Sequence, residues 1–497
     1  MKRSKHNLSH SHNFTCSMGE LIPCGIVEVL PGDTFNHSTS LLVRTTPLVA
    51  PLMHATHAEI HHWYVPHRII WNGWEAFITG TAETDGLPFF DFSGNIGAGG
   101  LSDYLGLPTG SAALGASTAI STLPFKAYNL VFNEWYRDEQ LTDERNVNKD
   151  AAGGVAESGE GITSTSLARV AWHKDRFTSA RVDPQFGDAV TIPIDTEVNA
   201  FGPFRLKKLG EEDRGSQANT VYTSGGTYGP VDSSGLTTND TMQYESGLQG
   251  GDATVTVEAF RQAFALQRFQ EARNRYGSRY VEYLRYLGVR SSDGRLDRPE
   301  YLGGGKQTLQ FSEVLDTGSS AGNVGKLKGH GIAALRSNRY QRFFEEHGYV
   351  ISMLVVRPTG IYLNGIPRHF LKSSFEEFYQ KELGHLGMQP IWKAEVDAGH
   401  LGTGGAPKDA FAYQDAYDEY RKIPSRASGE FSAAGTKKNW MFARDFATQP
   451  ELNNSFVECL PPNGAFADTA VDQLQVMVHH SLRARRIIPQ VGTPTAR

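Results

Sequence analysis

The chain has 497 residues, of which 39% are hydrophobic, and its 48 basic and 54 acidic side chains give a net charge of −6. This apolar content excludes disorder throughout the chain. The apolar runs fall well short of the roughly 18 residues that a membrane-spanning helix needs, so we expect a soluble protein without membrane insertion. The mildly acidic total argues against a surface built throughout to bind nucleic acid.

Cysteine usage and the first residues indicate a reducing compartment. Cys16, Cys24 and Cys459 are too few for a disulfide framework, and their odd number leaves at least one unpaired. The opening stretch MKRSKHNLSHSHNFT begins with basic residues but lacks the apolar run of a secretory signal. We therefore expect no export of this chain from the cytoplasm in which it is made.

Short β-like segments are scattered from one end of the chain to the other. In chain order they are Ile26–Leu30, Ser40–Thr46, His57–Val65, Ala189–Ile194, Gly348–Arg357 and Gln473–His479. The segment at 348–357 is continuously apolar, which is typical of a strand buried on both faces. Strands so far apart in sequence favour an antiparallel β-sandwich over a fold of alternating strands and helices.

Long segments rich in Gly, Ser, Thr and Asn separate these strands. They cover residues 94–119, 151–166 and 210–252, and we predict surface loops there. Loops of this length are usually functional or disordered.

Few helices are predicted. The strongest candidate spans Val257–Leu287, with Thr256 as its cap and Gly277 as a point where it breaks or bends. Shorter candidates are Asn72–Thr79 and Ser373–Lys381, and in the second of these Ser373 and Glu376 have capping-box spacing.

Motifs for catalysis or nucleotide binding fail on inspection. The GGGK stretch at 303–306 has Glu300 and Gln307 where a phosphate-binding loop needs Gly and Ser or Thr. The chain has no His-Glu-x-x-His or Cys-x-x-Cys motif. We therefore expect neither enzymatic activity nor a cofactor.

A histidine cluster is the one pattern that could hold a metal. It comprises His54, His57, His61, His62 and His67, and on a strand His57, Glu59 and His61 would share one face. The alternative is a strand whose imidazoles are packed, hydrogen-bonded at a subunit contact or solvated. We favour that alternative and assign no metal site.

The segment Arg261–Lys306 interleaves ten Lys or Arg with seven Phe or Tyr and five acids. Surfaces that bind single-stranded nucleic acid use such a pattern, because bases stack on rings while cations meet phosphates. Helix surfaces that join subunits look similar, and we favour subunit or core packing here.

Several unbroken stretches resemble the major capsid proteins of the Microviridae, the small icosahedral single-stranded DNA bacteriophages, especially the gokushovirus branch. They include EVLPGDTF at Glu28–Phe35, YVPHRIIWNGWEAFITG at Tyr64–Gly80 and, most distinctively, RLDRPEYLGG at Arg295–Gly304. Later stretches are EHGYVISMLVVRP, FAYQDAYDEYRKIPSRASGEF and PELNNSFVE. The resemblance extends over nearly the whole chain in order.

This resemblance implies a mainly β fold, a single viral jelly roll of eight antiparallel strands in two sheets, with long loop insertions and a few helices. We accordingly divide the chain into a basic N-terminal arm at 1–25, the first jelly-roll strands at 26–195, a hydrophilic insertion at 196–252, a helix with the remaining strands at 253–480, and a basic tail at 481–497. The insertion is the predicted surface protrusion, with contact to the host as its hypothetical role.

The implied function is structural: copies assemble into a T=1 icosahedral shell around a circular single-stranded DNA genome. The implied partners are the chain itself, the genome, a bacterial surface receptor, a small basic DNA-packaging protein, a pilot protein and a scaffolding protein. The implied location is the virion, after synthesis in the bacterial cytoplasm. The alternative is a jelly-roll protein that binds or cleaves carbohydrate, which would need a pair of carboxylates in a cleft for cleavage.

The basic residues concentrate at the two ends of the chain. Residues 1–19 carry a net charge of +3 and residues 473–497 carry +4, although the whole chain is at −6. An acidic body with basic ends suits a shell whose ends face the genome. The predicted nucleic-acid-binding residues are Lys2, Arg3, Lys5, Arg483, Arg485 and Arg486.

Overall fold

The computed structural model describes residues 3–81, 86–92, 96–110, 118–157, 163–188, 190, 198–200, 205–208, 221–224, 227–230, 242–245, 248–250, 257–277, 279–289, 292–315, 326–385, 387–399, 401 and 406–490. Contacts divide the chain into two compact units. The main unit comprises residues 1–184 and 274–497, and the insertion unit comprises Gln185–Arg273.

The strands, in chain order, are β1 Ser4–Asn7, β2 His10–Cys16, β3 Ile22–Val29, β4 Thr34–Thr45, β5 Thr56–Pro66, β6 Phe89–Phe92, β7 Thr118–Ser121, β8 Val198–Ala200, β9 Arg205–Lys208, β10 Val221–Ser224, β11 Thr227–Pro230, β12 Met242–Glu245, β13 Leu248–Gly250, β14 Glu300–Thr308, β15 Gln310–Leu315, β16 Leu327–Arg336, β17 Tyr340–Phe343, β18 Gly348–Pro358, β19 Ile361–Tyr362, β20 Met388–Trp392, β21 Ala410–Asp415, β22 Ser425–Arg426 and β23 Leu474–Arg486.

The α-helices are α1 His67–Ile70, α2 Trp74–Thr79, α3 Leu101–Tyr104, α4 Leu123–Trp135, α5 Val257–Tyr276, α6 Tyr280–Tyr286, α7 Lys393–Val396 and α8 Asn454–Val457. Short 3₁₀ turns lie at Asp293–Leu296, Arg368–Phe370, Phe375–Glu377, Leu383–His385, Asp418–Tyr420, Gly429–Phe431, Lys438–Trp440 and Asn463–Ala465.

Two antiparallel sheets form the centre of the main unit. The seven-stranded sheet has the order β1-β23-β4-β16-β15, with β2 also on β23 and β17 also on β4, and the four-stranded sheet has the order β14-β5-β18-β3. A common apolar cluster receives Val43 and Val476 from the first sheet and Ile60 and Leu354 from the second. The two sheets therefore pack face to face, and the prediction of a mainly β protein with antiparallel sheets is confirmed.

The four-stranded sheet is covered on its second face as well. Trp63 and Met353, whose side chains point away from the other sheet, share a second cluster with Phe125 and Val131 of α4. Strands β5 and β18 are consequently buried on both faces, as predicted for 348–357. Helix α4, to which the sequence analysis assigned no element, completes this second layer.

Four further strand predictions are confirmed, although the observed strands begin or end at different residues. Those at 26–30, 40–46, 57–65 and 473–479 correspond to β3, β4, β5 and β23, and the last of these continues to Arg486. The prediction at 189–194 lies outside the described residues, Val190 apart. The predicted loop at 94–119 contains α3 and the start of β7. The predicted loop at 210–252 contains the whole of β10, β11, β12 and β13.

The helix predictions need two changes. The helix at 257–287 is two helices, α5 and α6, separated by Gly277, whose φ of +100° is one that residues with a side chain rarely adopt. The segment 373–381 holds only a 3₁₀ turn, and its capping box joins Ser374 to Glu377, one residue after the predicted pair. The helix predicted at 72–79 is confirmed as α2.

The ends of the chain are part of the seven-stranded sheet. β1 and β2 pair with β23, so that Lys5 lies opposite Arg485 and Phe14 opposite Val476. The predicted arm at 1–25 is therefore mostly ordered strand, and residues 481–486 of the predicted tail continue β23. Their backbone groups are satisfied by this pairing, which an unattached arm would leave to water.

The insertion unit is wider than the predicted insertion at 196–252, since it runs from Gln185 to Arg273. Its described strands pair as three antiparallel ladders nested in sequence: β8 with β13, β9 with β12, and β10 with β11. The strands β8, β9 and β10 therefore pair in reverse order with β11, β12 and β13.

Candidate nucleic-acid interface

Strand β23 places basic side chains on the outer face of the seven-stranded sheet. Its side chains alternate between buried and exposed: Val476, Val478 and Leu482 enter the core, whereas Arg483 and Arg485 are exposed. This alternation follows from the two-residue period of a β-strand.

Neighbouring strands add more cations to the same face. Directly paired residues share a face of the sheet, so the register extends this face from β23 to β1, β4, β16 and β15. We call the group the cationic face, and it consists of Lys5, Arg44, Lys328, Arg336, Arg483 and Arg485.

The strands themselves contribute no carboxylate to this side of the sheet, and Asp472, which precedes β23, bonds Thr15 there. None of the paired strand positions on this side of the sheet is Asp or Glu. Lys5 lies directly opposite Arg485, and like charges in such a pair repel. Within the described ranges no ion pair to a carboxylate offsets this repulsion. An arrangement that is unfavourable in the isolated subunit is favourable beside an anion.

A groove of about 520 Å³ opens among these side chains. Its lining includes the cations Lys5, Arg483 and Arg485 together with the side-chain amides of Asn7, Asn36 and Gln341. At its edge Phe343, 43% exposed, pairs with Thr34, and the Arg3 guanidinium lies 4.9 Å from its ring centre. Cations, amide donors and an exposed ring together can hold phosphates and stack a base.

The structure assembles four of the six predicted residues. Lys5, Arg483 and Arg485 line the groove, Arg3 lies over Phe343, and Lys2 lies outside the described residues. Arg486 faces the other side of the sheet: its Nε is 3.0 Å from Oδ2 of the fully buried Asp33, and its guanidinium packs over Phe35. Arg486 is therefore a structural ion-pair partner and does not belong to the cationic face.

Three members of the cationic face were missed from sequence. Arg44, Lys328 and Arg336 lie far from either end of the chain and join the face only through strand pairing. The alternation in β4, where Arg44 follows buried Val43, signalled its exposure but not its neighbours.

Three cations of the basic and aromatic segment 261–306 make contacts within the main unit, whereas its tyrosines Tyr276, Tyr280, Tyr283 and Tyr286 are exposed. Arg275 binds Asp415 at 2.8 Å, Arg298 lies over the Trp135 ring at 4.0 Å, and Lys306 binds Glu59 at 2.9 Å. These contacts fit the packing interpretation for the three cations, and the exposed tyrosines remain open to a subunit contact.

The histidines of the 54–67 cluster point to different places. His61 bonds the Tyr136 hydroxyl at 2.8 Å, His62 bonds Ser352 on the opposite face, and His67 meets the Trp74 ring edge to face. Among the described residues, no group of three or more His, Cys, Asp or Glu has a geometry that could hold a metal ion.

A different histidine group is buried between the two sheets. Burial lowers the pKa of His37 to about 3 and that of His480 to about 4, and it lowers the pKa of His62 well below its usual value. The His480 Nε2–H donates to the Cys24 carbonyl at 3.1 Å, which leaves Nδ1 to accept from His37 Nε2–H at 3.2 Å. His37 Nδ1 then accepts from the Tyr340 hydroxyl at 3.0 Å. We call His37, His62 and His480 the buried histidine network.

A second pocket bears on the carbohydrate alternative. It has a volume of about 540 Å³ and is lined by Trp63, Trp135 and Tyr301 and by three carboxyl groups, Asp138, Glu139 and Glu282. Burial and the adjoining Glu139, to which it is hydrogen-bonded, raise the pKa of Glu282. Glycoside cleavage needs two carboxyl groups about 5 Å apart or more. Glu139 and Glu282 are hydrogen-bonded to each other and do not fit that mechanism, and Asp138 forms an ion pair with Lys174.

No helix within the described ranges is both long and apolar enough to cross a membrane.

Comparison with known proteins places these features in a family. A family model described as capsid protein (F protein) matches residues 1–496. Capsid protein VP1 of Bdellovibrio phage phiMH2K is 31% identical over 490 residues, covering 93% of this chain and 88% of the relative. Capsid protein VP1 of Chlamydia phage 1 is 30% identical over 541 residues, covering 93% and 90%. Capsid protein VP1 of Spiroplasma virus 4 is 26% identical over 490 residues, covering 92% and 87%. The chain belongs to the phage capsid protein (F protein) family, a family of structural proteins rather than enzymes.

Proposed function

We propose that this chain assembles with copies of itself into a T=1 icosahedral shell that encloses a circular single-stranded DNA genome. The proposed contact with the genome rests on the cationic face. There the strand register brings Lys5, Arg483 and Arg485 together, and no paired strand position beside them carries a carboxylate. Neutralisation by these side chains is partial. A small basic packaging protein therefore remains an expected partner, together with pilot and scaffolding proteins during assembly.

The two central sheets support the jelly-roll part of the proposal. Taken along the chain, β2, β3, β4, β5, β14, β16, β18 and β23 form sheet orders β2-β23-β4-β16 and β3-β18-β5-β14. The first and last strands are thus neighbours, and most connections pass from one sheet to the other. Two interleaved four-stranded sheets of this kind are what a jelly roll requires.

Binding of single-stranded DNA by dissociated subunits tests the genome contact. Each phosphate that a cation neutralises contributes about −0.7 to the slope of log K against log salt for a single strand. The double variant Arg483→Gln/Arg485→Gln should therefore bind a DNA oligonucleotide more weakly and lower the steepness of that slope by about 1.4.

Two exposed lysines outside the cationic face, Lys149 and Lys437, provide the control. Lys149→Gln/Lys437→Gln removes the same charge and should leave the slope within error of the original. Equal losses in both double variants would mean that only net charge matters, and the cationic face would not be the binding surface.

We further propose that the insertion unit forms a surface protrusion that contacts the bacterial receptor. The nested ladders β8–β13, β9–β12 and β10–β11 support this, because a chain that runs out and back can extend from a shell without altering its sandwich. Particles whose residues 196–252 are replaced by a short Gly-Ser linker should assemble and fail to adsorb to host cells. Normal adsorption by such particles would refute the role.

A further inference from the structure

One part of the main unit reverses the usual distribution of polar and apolar side chains. Two segments, 370–379 and 420–423, expose large apolar side chains to solvent. We call these the apolar patch, which consists of Phe370 (71% exposed), Phe375 (72%), Phe378 (50%), Tyr379 (61%), Tyr420 (57%) and Ile423 (90%).

Charged side chains from the first segment and from residues next to both segments lie beneath the patch. Glu419 accepts Lys372 Nζ at 3.1 Å and lies 3.7 Å from Arg368 Nε, and Arg368 also binds Glu395 at 2.9 Å. The Lys372, Arg368 and Glu419 side chains are only 3%, 4% and 8% exposed. Charged groups are almost never buried unless paired, so this network holds the two segments together while their rings face outward.

Ring contacts join part of the patch. Lys372 Nζ lies 4.5 Å from the Tyr420 ring centre and 5.2 Å from that of Phe378, and the Tyr379 ring lies 5.2 Å from the Tyr417 ring. These contacts hold Phe378, Tyr379 and Tyr420 in place before any partner arrives, which lowers the entropy cost of binding.

The area of the patch matches a subunit contact. Six side chains, each half or more exposed, present on the order of 600 Å² of apolar surface. The largest apolar patch of a typical monomer is about 300–600 Å², and a stable interface buries about 800 Å² on each partner. The patch is therefore as large as the largest apolar patches of typical monomers, and it provides most of the area that one partner buries in a stable interface.

We propose that the apolar patch is a contact surface between copies of this chain in the shell. The inference rests on the proposed shell function and names a surface that carries it. The rim of the patch bears both signs of charge, Glu376 and Glu382 beside Lys381 and Lys422, all exposed. A mixed rim suits a protein surface and offers no continuous cationic track to nucleic acid or anionic lipid.

Thiol labelling at the most exposed position tests the contact. All three native cysteines, Cys16, Cys24 and Cys459, are buried, and burial raises the pKa of each thiol. In Ile423→Cys the introduced thiol is therefore the reactive one. Its labelling rate with a maleimide should fall at least tenfold in intact particles compared with the same particles after dissociation. Equal rates in both states would overturn the inference, and so would protection in precursor particles that is lost in mature ones, since the occupant would then be an assembly partner.

Substitution provides an independent readout. Phe375→Ser/Ile423→Ser should retain the melting temperature of the subunit and reduce particle yield at least tenfold. The control Val155→Ser/Val471→Ser changes two other exposed residues, 54% and 51% exposed, and should assemble normally. Normal yield from the patch variant would overturn the inference. If the unaltered chain, expressed with its phage partners, formed no particles, the shell function itself would fail.

Discussion

Adjacent arginines near the end of β23 have opposite environments because side chains alternate along a strand. Arg485 lies on the cationic face opposite Lys5, whereas Arg486 lies beside the fully buried Asp33. Asp33 also accepts the backbone N–H of Leu30 at 3.0 Å, which shows that its carboxylate is built into the turn after β3. One arginine is thus available to an external anion, and its neighbour is committed to the fold.

This contrast predicts different effects on stability. Arg486→Gln leaves the buried Asp33 carboxylate without its charged partner and should lower the free energy of unfolding by about 3 kcal/mol. Arg485→Gln removes a repulsive pair with Lys5 and should change it by less than about 0.5 kcal/mol. Urea unfolding of the two dissociated variants gives both values, and equal effects would contradict the assignment of Arg486 to Asp33.

The sequence could predict the charge concentration at the ends but not which of its members act together. Lys5, Arg483 and Arg485 were predicted from composition alone, and Arg486 was grouped with them because nothing local distinguishes it. Arg44 and Arg336 were missed because strand register, which brings them to the same face, depends on pairing across hundreds of residues.

At the scale of elements, the buried histidine network joins the two sheets of the sandwich. His37 and His480 come from β4 and β23 of one sheet, and His62 comes from β5 of the other. Gly25 in β3 allows the close approach, since a Cβ there would lie 2.5 Å from His480 Nε2. The groups around these rings are His10, His12, Thr39, Tyr340 and Ser352, and the resolved contacts include no carboxylate that would stabilise an added proton.

Acid should therefore weaken the sandwich. The pKa values of His37 and His480 are lowered from about 6.5 to about 3 and about 4, so the unfolded chain binds more protons than the folded chain below pH 6.5. The stability of the fold is then complete above pH 6.5 and decreases as the pH falls toward 4, by about 1.4 kcal/mol per pH unit for each histidine that titrates only after unfolding.

Urea unfolding between pH 7.5 and 4.5 measures this dependence. His480→Asn should reduce its slope by about 1.4 kcal/mol per pH unit, because one linked proton is removed. His330→Asn, which changes an exposed histidine on β16, should leave the slope unchanged. A slope that is the same in all three proteins would show that the network does not control acid stability.

The elements differ in how well their sequences predict them. β18 was predictable because it is continuously apolar, and the break at Gly277 because glycine accepts its left-handed conformation. Helix α4 escaped prediction because it is buried on nearly all sides, including Lys126 paired with Glu157 at 2.5 Å and Asn129 bonded to the Ser164 carbonyl at 2.7 Å. Burial of its polar residues removes the one-sided pattern that identifies a surface helix.

At the scale of the whole molecule, a capsid protein must bind copies of itself through one set of surfaces and tolerate a polyanion on another. Under the two proposals the apolar patch and the cationic face would separate these tasks, since one is apolar with a rim of both charges and the other is basic. A chain with a net charge of −6 can therefore contact DNA locally while the rest of its surface stays acidic.

The most direct test of this account is the amount of DNA in particles made by Arg483→Gln/Arg485→Gln, measured together with the yield of particles. Losing two phosphate contacts should reduce packaged DNA per particle severalfold while the yield stays close to that of the unaltered chain and of Lys149→Gln/Lys437→Gln. A normal DNA content, or a loss of DNA no greater than the loss of particles, would contradict the claim that the cationic face holds the genome.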